Sequence, residues 1–125
     1  MNILIPKWLE ELKGVLESVT RISIVVTNTE THDEKIGRKK VISKTSNIIN
    51  HNFDYKFDSI IIEGNHITAT GKEVIIKIPE NYIVEGLDLF NEKDEKLCRA
   101  IENIEFPHGG TFTFEGKYHM SLDFT

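Results

Sequence analysis

The chain has one cysteine, Cys98. A lone thiol excludes an internal disulfide and any cysteine-built zinc cage; beside Leu97 it reads as a reduced core residue. No apolar run approaches the ~20 residues of a membrane-spanning helix. The opening MNILIPKWLEELK lacks a basic segment followed by an unbroken apolar stretch, so it does not read as a secretory signal, and the expected location is the cytoplasm. Cations are outnumbered, 15 Lys and Arg against 20 Asp and Glu, and a net charge of −5 disfavours general binding to nucleic-acid phosphates. The one basic cluster, Lys35-Ile36-Gly37-Arg38-Lys39-Lys40, directly follows Glu30, His32, Asp33 and Glu34, which cancel much of its field, and it reads as a solvated loop tip. Arg is scarce while Ile, Lys and Asn abound, the composition of an AT-rich genome such as a low-GC bacterium or its phage.

Catalytic constellations are missing too. His32, His51, His66, His108 and His119 are scattered, without a His-x-His or His-x-x-x-His pair. In His119, Ser121 and Asp123 the serine is the middle residue, whereas a hydrolase triad needs the histidine between the other two, and no Gly-x-Ser-x-Gly elbow occurs. Asp54 and Asp58 stand too far apart on an extended strand for paired-carboxylate chemistry. Gly109-Gly110 precedes a strand pattern, where a phosphate cradle wants a helix. No catalytic residue, metal or cofactor is assigned on this basis.

What is present is enough for a core. At 125 residues with 39% apolar side chains, residues 1–125 read as a single globular domain. Trp8, Leu9, Leu12, Val15, Leu16 and Val19 recur at helical spacing, and Pro6 suits a first turn, so a helix is expected over 6–19. Ile22, Ile24 and Val26 alternate with polar or smaller residues in a half-buried strand, followed by a polar loop through Lys40 and a weaker strand at 41–44. In FDSIIIEGNHITATGKEVIIKIPEN, two-residue turns at Gly64-Asn65 and Gly71-Lys72 would set Ile62 opposite Ile67, Ile60 opposite Ala69, Ala69 opposite Val74 and Ile67 opposite Ile76. All of these and Ile78 then share one face of a central three-stranded meander, 59–78, because a one-residue slip would mix polar and apolar positions. The opposite face carries an apolar row of Ile61, Thr68 and Ile75. Phe53, Tyr55 and Phe57 match the parity of Ile61; either they extend that second face or a bulge near Asp58-Ser59 turns them inward.

Leu97, Ile101 and Ile104 at helical spacing, behind Asn91 as a cap and acidic Glu92, Asp94 and Glu95, point to a second helix at 92–104; the alternative is a hairpin with NEKDEK at its tip. In TFTFEGKYHMSLDFT a loop at Glu115-Gly116-Lys117 would pair Phe114 with Tyr118 and Phe112 with Met120 in a C-terminal hairpin, 111–124.

The expected fold is therefore α+β, a mainly antiparallel sheet of about six to eight strands with two helices on one side. The expected function is that of a non-enzymatic interaction protein, such as an inhibitor, an immunity protein or a phage-encoded antagonist, whose partner is another protein or its own copies. Its surface would be Ile61, Thr68 and Ile75, with Phe53, Tyr55 and Phe57. One alternative is an oligomeric protein that sequesters a small ligand through His66, Lys77, His108 or His119. A second is a metal-assisted hydrolase around His108, His119 and Asp123, which meet if the 107–110 loop folds over its hairpin.

Overall fold

The computed structural model describes residues 7–121, which form one helix and nine strands in three antiparallel sheets, where a single sheet of about six to eight strands was expected. These are α1 (Lys7–Glu17), β1 (Val19–Ile36), β2 (Lys39–Asp54), β3 (Ser59–Glu63), β4 (His66–Thr70), β5 (Val74–Ile78), β6 (Tyr82–Asn91), β7 (Lys96–Phe106), β8 (Gly110–Phe114) and β9 (Lys117–Ser121). The helix ends two residues earlier than expected. Ser18 closes it by donating from Oγ to the Val15 carbonyl (2.6 Å), and Val19 instead opens β1. Leu9 and Leu16 are fully buried and seat the helix against β3 and β4.

Strands β2, β1, β6 and β7 lie in that order in an antiparallel sheet. Ile22, Ile24 and Val26 face the core with Leu87, Leu89 and Val84, as their alternation requires. The expected polar loop through Lys40 is not a loop. β1 runs on to Ile36, reverses at Gly37-Arg38 and returns as β2 in an unbroken ladder of 16 pairs, from Arg21↔Asp54 to Ile36↔Lys39. Gly37 has φ 64, the conformation that a tight reversal demands. Because β6 accompanies β1 only as far as Thr27, residues 29–46 project as a two-stranded arm with both edges open. Polarity misled the loop assignment: an exposed ribbon has no buried face and so no alternating signature.

The central meander over 59–78 is corrected to a single hairpin. Gly64 (φ 60) makes the turn between β3 and β4, and Ile62 opposes Ile67 and Ile60 opposes Ala69 as expected. Gly71 makes no turn. β5 leaves β4 and pairs with β8, while β9 pairs with β4, so the C-terminal hairpin over 111–124 is also overturned for its described residues: Phe112 opposes Ile76, Phe114 opposes Val74, and Tyr118 and Met120 oppose Ala69 and Ile67. Residues 66–78 and 110–121 thus run antiparallel as two successive ladders in separate sheets, β4–β9 and β5–β8, shifted by one residue in register and joined at a corner where Gly71 N–H donates to the Gly116 carbonyl (2.7 Å). A Cβ on Gly116 (φ 79) would overlap the Gly71 carbonyl oxygen, so only glycine fits this corner. The inward set is the same either way. Ile67, Ala69, Val74, Ile76 and Ile78 are buried, with Ile60 and Ile62 packed against them, and Ile61 and Ile75 point outward. Side-chain parity is identical for two hairpins and for two ladders meeting at a corner, which is why the pattern chose between them wrongly.

The second helix at 92–104 is absent, and β6 and β7 form the hairpin held as its alternative. Asn91 does cap, but it caps a turn: its Oδ1 accepts from the N–H groups of Lys93 and Glu95, both at 3.0 Å. The helical spacing of Leu97, Ile101 and Ile104 arises from a register shift near Asn103, which has φ 51. Among the described residues no helix is long and apolar enough to cross a membrane.

Candidate functional site

The outer face of the four-stranded sheet is unusual in its floor. Three rows cross it: Asp54–Arg21–Phe90–Lys96, Asn52–Ser23–Asp88–Arg99 and Asn50–Val25–Gly86–Ile101. At the centre the side chains are small or missing. A Cβ on Gly86 would overlap the Ala100 carbonyl oxygen, and Ser23 and Val25 are short, so the middle of the face sinks into a trough of ≈ 590 Å³. Its walls are Asn50, Asn52 and Ile48 on β2 and Lys96 and Arg99 on β7.

Asp88 lies in the floor, only 3% exposed. A carboxylate there requires compensation. Arg99 supplies it through two bonds, Nε to Oδ1 (2.6 Å) and Nη2 to Oδ2 (3.0 Å), and the Lys96 ammonium adds a contact at 3.4 Å. The fork matches the carboxylate in geometry as well as charge. Arg99 holds the Asp88 carboxyl below its ordinary range against the opposing effect of burial, and Asp88 in turn raises the Arg99 guanidinium. At one end of the trough Arg21 stacks over the Phe90 ring, 4.0 Å from its centroid, and bonds to Asn52. At the other, Thr27 Oγ1 donates to Glu85 (3.0 Å), which also reaches Arg99 at 4.0 Å.

The face continues without interruption onto the arm. Alternate residues of β2 place Lys40, Ile42, Lys44, Ser46 and Ile48 on the side of Asn50 and Asn52. Ile42 (60% exposed), Ile48 (64%) and Ile101 (73%) are bare isoleucines set among cations. These isoleucines stand beside cations that are largely paired within the chain: Arg99 and Lys96 with Asp88, and Arg21 with Asp94 at 3.4 Å.

The residues singled out from the sequence are distributed differently. Tyr55 and Phe57 are buried and Phe53 is packed against the core, the inward alternative, which the chain reaches by leaving β2 after Asp54 instead of by a bulge. Tyr55 Oη donates to the Lys72 carbonyl (2.8 Å), and burial, with Asp58 nearby, pushes its phenol up to about 12. Ile61, Thr68 and His119 form a row across β3, β4 and β9; Ile75 is not in it, because β5 pairs with β8 and sets it beside Thr113. The structure does bring His66 and His119 together, stacked at 5.5 Å, with Thr68 Oγ1 at 3.0 Å from His119 Nδ1, around a shallow pocket that Ile61 and Glu63 complete. Lys77, opposite Thr111, and His108, in the turn before β8, lie elsewhere. Asp123 lies outside the described residues, among which no group of three His, Cys, Asp or Glu is placed to hold a metal ion. Cys98 is half-buried, its thiol pushed up chiefly by burial.

Arg21, Asp88, Lys96 and Arg99 went unnoticed in the sequence. One signal for them existed: Asp88 between Leu87 and Leu89 is a carboxylate inside an apolar run, which calls for a cation across the strand. Comparison of the chain with family models, with curated proteins and with solved structures yields no match.

Proposed function

We propose that this is a non-enzymatic binding protein whose outer sheet face, trough and arm together, docks a protein partner that presents carboxylates beside apolar side chains. The observation that carries this reading is the continuous surface on which Ile42, Ile48 and Ile101 stand exposed among Lys40, Lys44, Arg21 and Arg99. Contiguous exposed aliphatics among cations are characteristic of docking faces, with arginine as a frequent anchor. Inhibitors, immunity proteins and phage-encoded antagonists belong to this class, and a single cysteine suits the reducing cytoplasm. The test is affinity capture with wild type, Ile48→Glu, Ile101→Glu and Ile75→Glu side by side. A partner lost by the first two variants and kept by the third supports the outer face; the reverse moves the interface to the side of Ile61 and Ile75 and overturns this reading.

A second reading, capture of a small ligand, is favoured by one feature: the His66–His119 stack with Thr68 above Ile61, a pocket of ≈ 450 Å³. A co-purifying metabolite released by His119→Ala would support it.

A further inference from the structure

The long hairpin carries opposite charge at its two ends. At the tip four cations, Lys35, Arg38, Lys39 and Lys40, outnumber two carboxylates, Asp33 and Glu34, and the one ion pair formed there among the described residues is Lys40 with Asp33 at 3.7 Å. At the base, where β1 begins and β2 ends, a cleft of ≈ 740 Å³ opens beside the β6–β7 turn. Its rim holds five carboxylates, Glu17, Asp54, Asp58, Glu92 and Glu95, against three lysines, Lys56, Lys72 and Lys93. Glu17 pairs with Lys13 of its own helix; the other four make no ion pair among the described residues.

Unmatched cations and unmatched carboxylates in one molecule would ordinarily find each other, but here they cannot. Fifteen residue steps separate Arg21↔Asp54 from Ile36↔Lys39, a span of ~50 Å at ~3.3 Å per residue, and continuous pairing keeps the ribbon extended. That is several times the ~8–10 Å over which charges act in physiological salt. The tip therefore meets such a cleft only on another molecule, and locally it meets opposite charge even though both chains are net negative.

We propose that the chain associates head to tail with second copies of itself, the basic arm tip of one molecule seated in the acidic basal cleft of the next. Because tip and cleft are different surfaces, the contact is heterologous and leaves a free tip and a free cleft at the ends of every assembly, so growth continues unless a ring closes. This inference does not rest on the outer-face reading, since it uses neither the trough nor Ile48 and Ile101.

Sedimentation velocity on the full chain over a concentration series, at low and at high salt, tests it. The expected result is a mass that climbs above 14.4 kDa with concentration at low salt and returns to that of a single chain at high salt. Arg38→Glu with Lys39→Glu, and separately Glu92→Lys with Glu95→Lys, should each remain single chains. Mixed in equal amounts, these two variants should associate, since each then offers the other a matching tip and cleft; both alter exposed side chains, and far-UV circular dichroism checks their folds. A wild type that stays monomeric at low salt, variants that still associate alone, or a mixture that does not associate overturns the proposal.

Discussion

β1 and β2 are each two things along one length. From Arg21 to Thr27, β1 lies between β2 and β6 with Ile22, Ile24 and Val26 fully buried; from Thr29 to Ile36 the same strand has β2 alone and every residue is exposed. Backbone pairing is continuous across the boundary while burial stops at it. The half with a core beneath it holds its shape by packing, and the half without one is ordered by its ladder and by its attachment to the body. A two-stranded ribbon in water is marginal by itself, so the arm is the part of the molecule on which a partner has most to stabilise.

The comparison breaks most visibly in the body. Ile24→Ala should cost about 2–5 kcal/mol in urea unfolding, because the neighbouring sheet cannot collapse into the space, whereas Ile42→Ala on the arm should stay within about 0.5 kcal/mol. Equal effects would mean that the arm has a hidden core. Asp88→Asn comes next, at about 1.5–3 kcal/mol near neutral pH, as it weakens a charged fork. Its pH dependence is set by sign. The folded carboxyl titrates below the unfolded one, so the stabilisation is present above the ordinary carboxylate value of ~4 and is lost as pH falls through the lower folded value; the variant should flatten that acid limb. Gly86→Ala should destabilise by about 1–3 kcal/mol, since the new methyl meets the Ala100 carbonyl, while Gly14→Ala on the open face of α1 should stabilise by about 0.5–1 kcal/mol. The finest probe is amide exchange. Protection along β1 should fall abruptly after Asn28 and should return on the arm only when a partner is bound.

Much of this fold was legible in the order of residues. The apolar spacing of Trp8 to Leu16 marks α1, and Gly64-Asn65 between alternating isoleucines marks the β3–β4 hairpin, because both signals are local. The choice of strand partner was not. Val74 meets Phe114 and Ala69 meets Tyr118 through contacts some forty to fifty residues apart, and parity alone does not distinguish those partners from near neighbours. Asn91 shows how a correct local reading fails globally: its side chain accepts from the backbone as a cap should, but pairing of β7 with β6 prevailed over helix propensity. The trough was hidden for the same reason, since Ser23, Asp88 and Arg99 become neighbours only when three strands are aligned. The arm was hidden for the opposite one, since a ribbon with two wet faces has no periodicity to read.

The corner at Gly71 and Gly116 also bears on how the molecule assembles. The β5–β8 ladder begins at Ile78↔Gly110 around the self-contained β6–β7 hairpin, so zipping from that end adds each pair to a loop already closed, at small further entropic expense. The distant pairs, ending with His66↔Ser121, must wait until the chain has pivoted through two glycines. Stiffening that pivot would be felt first as slower refolding, before any loss of equilibrium stability was large enough to notice.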